Sequence, residues 1–589
     1  MQVLRLGNLI AYLLAVLLIR FIQLFWQLNH PRRGPGPTLI PWIGRVHDLP
    51  IQHMWLKFKE WADKYGQGGF YRTEMLGTKL FIITDEKIAH DLLVKRAKHN
   101  SDRPAVQSLF DSKSMDGSME YLPLMGKNDV WSRQRKVSHA YLSQASSAHY
   151  HGIMDFEAKR WLARLMTEPD DFLSSLEDMA AKVMCALAWD EPDLSPALSA
   201  GAWGLLRQMS PAGPITNVLT PLWHLPEPVN PWKRAEMRRH DAQRDWWTAQ
   251  LRAARSKFRK GQLRHCWTRQ WLEKTSRIGA LTGDAEASCV LGMLALVGVF
   301  TVAGPLAYWL VAMVHHPEWQ EAVQREVDEK CGGRMPTLAD KPNLPVLRAC
   351  IKETMRWKPN VPTGVAHEAE QDLEYQGIFI QKGTRILPFD LAFLRNPKTY
   401  PDPESFRPER WLEPGWPTYQ EPLTEYPTIK GMTSFGWGQR QCLGMGVTQD
   451  ELIVACGALA WCFTLKPKAD SATGGPKPVP LNECNSLLII KPDQFEMSFE
   501  PRSVERREEA LRLWEEARME DQRARAEFLA RQAKGRRAPS KLDPGAKASP
   551  DDNLKWERNE DGSLVIEISP QHTGPCQAFQ SGGEGPEAR

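Results

Sequence analysis

No two of the ten cysteines stand in a Cys-x-x-Cys pair, so the sequence encodes neither a structural zinc site nor a compact disulfide framework. Net charge is only +4, which gives no global field for nucleic acid; the basic run RAARSKFRKGQLRH, Arg252 to His265, reads as a solvated helix face. A repeat of solenoid period is missing, as is any flavin-binding or dinucleotide-binding segment. Apolar residues make up 42% and charged residues 25% of the 589, values that exclude a largely disordered or fibrous chain. The bulk therefore folds, as one large domain with appendages or as several domains. Cys185, Cys289, Cys350 and Cys456 sit in apolar helical contexts, where cysteine behaves as a small buried hydrophobe and a reducing compartment suits it.

What the chain does have begins at its amino terminus. Every residue from Leu9 to Ile19 is apolar or aromatic, and the run resumes after Arg20 as FIQLFWQL, a span close to the ~20 residues a bilayer crossing needs. Arg20 and Gln23 are costly near a membrane centre, which leaves both a tilted spanning helix and a shallow monotopic insertion open. A cleaved signal peptide lacks its small-residue cleavage site, so the segment is expected to be retained. Arg32 and Arg33 follow at once and place the next domain on the cytoplasmic side. The prolines and glycines of NHPRRGPGPTLIPWIG read as a stiff, extended connector.

Periodicity then predicts a mainly α protein with minor β-sheets. Strand patterns occur at GFYRTEM, KLFIITD and LEYQGIFIQKGTRILP, and helical patterns dominate from Trp131 to about Lys358. Expected organisation is a membrane anchor over 1–30, a Pro/Gly-rich hinge over 31–50, a catalytic domain over 51–502, and a charged helix with a disordered tail over 503–589. Opposite charges three or four apart make RREEALRLWEEARMEDQRARAEFLARQAKGRR one exposed helix, without the sustained heptad of a coiled coil. A hairpin hint lies around Asp561 and Gly562. Rings near WHLPEPVNPW are candidates for touching the membrane.

The chemistry concentrates in SFGWGQRQCLGMG. Phe435, Gly438, Arg440, Cys442 and Gly444 alternate with other residues just before an apolar helical run. Helix-end amides favour a thiolate at Cys442, the glycines permit close approach to a flat ligand, Arg440 offers a donor fork to a carboxylate, and Phe435 covers one side. With each residue type at a frequency of about one in twenty, five fixed positions arise by chance on the order of 10⁻⁴ times in such a chain. The spacing resembles the cysteine-ligand signature of the cytochrome P-450 family, and the resemblance runs from about Pro31 to Glu500. It implies a cytochrome P-450 fold and haem b, iron protoporphyrin IX, with Cys442 as axial iron ligand. Glu353 and Arg356, one helical turn apart, resemble the family's Glu-x-x-Arg element, and Arg410 in FRPERW its second arginine motif; the resemblance implies a buried charged network bracing the cysteine loop. Trp131 and Arg135 match the family's Trp-x-x-x-Arg helix, and His367 sits where the family places another donor to a haem propionate.

Two departures stand out. The helix VLGMLALVGVFTVAGPLAYWLVAMVHHPEW aligns with the family's helix over the oxygen-binding face, with Thr301 at the expected threonine, yet the usual acid before it is Phe300, which cannot titrate. Pro305 leaves the Thr301 carbonyl without its helical amide, so that turn is expected to hold a water chain. In PFDLAFLRNP, Leu391 and Leu394 replace the Trp and His common in related fungal enzymes. The resemblance, closest to microsomal enzymes of filamentous fungi that tailor natural products, implies a single-pass endoplasmic reticulum monooxygenase facing the cytosol. It implies an apolar small-molecule substrate, lipid contact, and electrons from a separate NADPH-dependent cytochrome P-450 reductase docking on the cysteine side. Two other classes are weighed: a haem-thiolate isomerase or dehydratase working without reductase, and a non-catalytic haem-binding scaffold. The segment PAVQSLFDSKSMDGSMEYLPLMG after Arg103 is expected to line the substrate pocket without a readable code.

Overall fold

A largely exposed helix opens the chain: α1, Gln2–Leu28, whose 8–28 stretch is long and apolar enough to cross a membrane, with Phe21 meeting Trp42 of the connector at 6.0 Å between ring centroids. Arg20 donates to the Gln23 amide at 3.3 Å, one turn on, so its two costly polar groups partly satisfy each other. The computed structural model describes residues 2–106, 108–109, 120–145, 148–273, 281–470, 473–535, 556–558 and 564–566. Residues 107 and 110–119 of the segment after Arg103 that was expected to line the pocket, and the Asp561-Gly562 turn, lie outside them.

The connector after α1 is not extended. Asn29 donates to the Leu39 carbonyl and accepts from the Leu39 amide, at 2.9 and 2.8 Å, closing the Pro/Gly-rich stretch into a loop beneath the anchor. Its far end joins the body where the Arg45 amide bonds the Glu74 carbonyl. One two-point carboxamide contact thus overrides the extended preference of the prolines.

Element order through the body is α2 (Met54–Tyr65), β1 (Phe70–Met75), β2 (Thr78–Ile83), α3 (Glu86–His90), α4 (Asp129–Ala145), α5 (Ala148–Thr167), α6 (Phe172–Trp189), α7 (Ser195–Met209), α8 (Pro231–Arg259), α9 (Trp267–Leu272), α10 (Asp284–His315), α11 (Pro317–Cys331) and α12 (Pro345–Trp357). After these come β3 (His367–Glu368), β4 (Leu373–Tyr375), β5 (Ile378–Ile380), β6 (Arg385–Pro388), α13 (Asp390–Leu394), α14 (Met445–Cys462), β7 (Phe463–Pro467), β8 (Met497–Pro501) and α15 (Val504–Gly535). Strands β1-β2-β6-β3 form one sheet, with β2 and β6 parallel and both outer pairs antiparallel. The helical body with small sheets is the architecture expected from periodicity. Because α10 is apolar around its whole circumference it must be enclosed, and α6, α7, α8, α12 and α14 surround it. Residues 534–589 form a separate unit containing the antiparallel pair β9 (Trp556–Arg558) and β10 (Leu564–Ile566).

Two surface expectations change. Trp223 in the segment before α8 is buried, and the apolar side chains exposed there are the aliphatic Ile215, Leu219, Leu225 and Val229. Asn230 binds the Trp223 carbonyl at 3.1 Å and caps α8, which turns the ring inward. Helix α15 is a single helix, but it is docked rather than free. Trp514 stacks near Phe156, ring centroids 5.3 Å apart, with the Arg160 guanidinium 5.4 Å from its ring; Arg502 and Arg506 pair with Asp328, and Arg264 with Asp521. Trp514→Ala should destabilise the protein by about 1–2 kcal/mol, read as a lowered urea midpoint at unchanged slope.

Candidate functional site

Cys442 sits two residues before the first cap of α14 and is held by its own amide, which donates to the Phe435 carbonyl at 2.7 Å. Gly438 makes the loop possible: its φ is +56°, and a β carbon there would lie 2.1 Å from the Leu93 carbonyl oxygen. The loop therefore leans directly on the backbone of the turn following α3. Phe435 is buried in the main core. Cys442 is solvent-accessible although protein crowds it.

Burial pushes the Cys442 thiol up, and the Gly444 amide, 3.3 Å from Sγ, and the Arg135 charge only partly oppose this. A cationic ligand on the sulfur would favour the thiolate further.

Around this loop the structure gathers positive charge. Arg440 donates from Nε to the Ser101 carbonyl at 2.7 Å, its guanidinium lies 4.0 Å from the Trp131 ring centroid, and both Nη atoms are buried without a partner. Arg135 donates to the Gln441 carbonyl at 2.6 Å and lies 5.9 Å from the same ring. Arg103 is fixed by the carbonyls of Pro123, Val365 and Ala366. Burial, together with the neighbouring arginines, pushes Arg440 down to about 8 and Arg103 down to about 9. For guanidinium groups this signals uncompensated positive charge rather than a lost proton. A planar ligand with two carboxylates, such as the porphyrin implied above, fits that demand: it would neutralise the cluster and satisfy the orphaned Nη atoms.

His367 belongs to the same cluster with a different state from the expected one. Its Nδ1 donates to the Asn100 carbonyl at 2.8 Å, and burial with the charges of Arg103 and Arg440 holds it well below the usual histidine range. Neutral His367 therefore presents Nε2 as an acceptor, and donating to a propionate requires that the propionate first offset the arginines. Arg103 was missed by sequence reasoning because its role arises from tertiary proximity to His367 and Arg440.

Behind the loop, Glu353 and Arg356 of α12 and Arg410 are fully buried. The Glu353 carboxylate accepts from Arg356 Nε and Nη2 at 2.9 and 2.7 Å, from Arg410 Nε at 3.1 Å, from the Arg407 amide at 2.9 Å and from Trp411 Nε1 at 2.9 Å. Arg356 Nη1 also donates to the Leu394 carbonyl at 3.1 Å. Leu394 ends α13, whose first residue, Asp390, accepts from the hydroxyls of Thr433 and Ser434, the latter at 2.6 Å. Helix α13 thereby couples the charged network to the cysteine loop. Leu391 and Leu394 fill apolar clusters, Leu391 against Trp55 and Phe58, Leu394 against Tyr400 and Trp411, so packing takes the place of the polar pair.

On α10, Thr301 donates to the Val297 carbonyl at 2.7 Å, and Phe300 packs on Trp203 of α7 with ring centroids 4.6 Å apart. No carboxylate takes the place of that ring.

Comparison with family models matches residues 34–497 to the model described as Cytochrome P450. Among curated relatives, the chain is 30% identical over 512 residues to "Cytochrome P450 monooxygenase virE" of Hypocrea virens, covering 84% of this chain and 91% of that one. It is likewise 30% identical to "Echilunin cytochrome P450 monooxygenase" of Aspergillus ruber, over 85% of this chain and 91% of the relative. To "Cytochrome P450 monooxygenase psoD" of Aspergillus fumigatus it is 30% identical over 69% of this chain and 79% of the relative.

Replacing Glu353 with Gln strands two buried guanidinium groups. The expected loss is about 3–5 kcal/mol, measured by denaturant unfolding, with Glu353→Asp recovering part of it.

Proposed function

The chain belongs to the cytochrome P450 family and is a haem-thiolate oxidoreductase of monooxygenase type; from that premise we propose a membrane-anchored enzyme that inserts one atom of O2 into an apolar small molecule of fungal secondary metabolism. The observation that carries the reading is the gathering of Arg440, Arg135 and Arg103 beside the loop that carries Cys442, with the Arg440 Nη atoms lacking a partner among the described residues. Cys442 Sγ would ligate the iron of haem b; Arg440 Nη1 and Nη2, Arg135, Trp131 and His367 would take the propionates, and Phe435 would cover one side. Bound there, the haem supplies oxygen activation assisted by the electron-rich thiolate.

The chain's own residues do the rest. Glu353, Arg356 and Arg410, through α13, fix the loop so that Sγ does not wander. Thr301 Oγ1 is the hydroxyl placed to hold and release a proton on the opposite side. Helix α1 is the anchor, and Arg32 and Arg33 orient the body to the cytosolic side of the endoplasmic reticulum. Electrons arrive from an NADPH-dependent cytochrome P-450 reductase on the cysteine-side face. In this reading 1–30 is the transmembrane anchor, 31–50 a hinge, 51–502 the haem domain, and 503–589 a charged helix and disordered tail.

Phe300 favours one second reading, an isomerase or dehydratase that rearranges an already oxygenated substrate and has no need of proton delivery to oxygen. NADPH dependence separates the two, since only the monooxygenase consumes it in making product. For the leading reading, the reduced carbon monoxide difference spectrum should show the thiolate-type Soret band, and Cys442→Ser should abolish it; its absence from the wild type overturns the assignment. Thr301→Ala should raise hydrogen peroxide released per NADPH severalfold, and unchanged coupling would remove Thr301 from proton supply.

A further inference from the structure

Pro305 interrupts α10 one turn after Thr301, and since proline has no amide hydrogen the Thr301 carbonyl lacks its helical donor. Against this turn lies Asn360, in the loop that follows α12. Its Nδ2 donates over a long 3.5 Å to the adjacent carbonyl, that of Phe300, while its Oδ1 is buried without a partner. Gly304 admits it: a β carbon at that position would lie 2.3 Å from Asn360 Nδ2 and 3.2 Å from the Ile490 carbonyl oxygen. From the other side the Ile490 amide bonds the Asn360 backbone carbonyl at 2.7 Å, so residue 360 is tied to the loop before β8 while its side chain lies against α10.

The next residue, Lys491, opens this loop toward solvent. It pairs with Glu177 of α6, and its ammonium sits 4.4 Å from the Trp203 ring centroid and 6.0 Å from that of Phe300. Trp203 Nε1 donates to the same carboxylate at 3.1 Å. The helix face that carries Phe300 in place of an acid is thus flanked by a partly exposed ion pair on one side and an unpaired amide oxygen on the other.

A buried acceptor without a donor is costly, and here a second acceptor, the Thr301 carbonyl, stands on the same opened turn. Water is the small molecule that can donate to both. We propose, resting on the monooxygenase reading, that Asn360 is a positioning residue for proton supply: its Oδ1 and the Thr301 carbonyl hold a water beside Thr301, in the role that Phe300 cannot fill. In each relay Thr301 Oγ1 releases its proton into the pocket while the water turns the hydrogen it had given the Thr301 carbonyl onto Oγ1, keeping its other hydrogen on Asn360 Oδ1. The water takes one from solvent past Lys491 and Glu177, and Asn360 is left unchanged.

The test uses the full-length haem-loaded protein in the ferrous state with carbon monoxide as the probe. The wild type should show an infrared carbon monoxide stretch that shifts between H2O and D2O. Asn360→Leu, of similar size without polar atoms, should move the band and lose the deuterium shift, whereas Asn360→Asp, which keeps an acceptor oxygen, should retain it. With reductase and NADPH, Asn360→Leu should release severalfold more hydrogen peroxide per NADPH. A thiolate-type Soret band with an Asn360→Leu stretch and deuterium shift identical to wild type overturns the role of Asn360 alone; a wild type without that Soret band overturns the monooxygenase reading and this proposal with it. If Asn360→Leu does not fold, Gly304→Ala, whose methyl displaces the carboxamide, must lose the deuterium shift, and its retention counts equally against the proposal.

Discussion

Everything on the cysteine side depends on one buried carboxylate. Glu353 is out of water with two guanidinium groups, and its placement is tolerable only because backbone and indole donors complete its hydrogen bonds while the arginines spend their remaining donors on carbonyls. Such a network has little slack. Its value lies less in net stability than in position: Arg356 fixes the Leu394 carbonyl, α13 carries that constraint across a single turn and a half, and Asp390 delivers it to the hydroxyls that begin the cysteine loop.

A second constraint has opposite character. Whereas Glu353 is fully compensated, Arg440, Arg135 and Arg103 are a deliberate excess of one sign, held apart by carbonyl contacts and the Trp131 face. Compensated charge lies behind the cysteine loop and the arginine excess beside it, and the proposed haem site rests on that contrast. His367 follows the cluster, its protonation set by whether that excess is met.

Sequence reading reached the parts of this site whose spacing along the chain mirrors their chemistry. Cys442 and its glycines lie on one loop, Glu353 and Arg356 on one helix face, and Trp131 and Arg135 one turn apart, so local geometry suffices. Arg103, Asp390 and Asn360 were not legible because each acts on residues distant in sequence, and their own neighbourhoods, SDRPA, PFDLA and KPNVP, carry no period or motif. Two misreadings have a common cause. The connector after α1 and Trp223 were read from local preference, proline for extension and tryptophan for membrane interfaces, and in both places a single asparagine carboxamide redirects the backbone. The helical body itself, by contrast, follows from apolar periodicity because its core helix has no polar face to satisfy.

Contact between Gly438 and the Leu93 carbonyl joins segments almost three hundred and fifty positions apart. The cysteine loop takes its shape against a turn made early in synthesis, and that turn has nothing to receive until the loop has left the ribosome. Cofactor capture is in this sense a final act of assembly: a chain interrupted before Cys442 holds α1 and most of the helical framework, yet lacks the thiol proposed to bind iron.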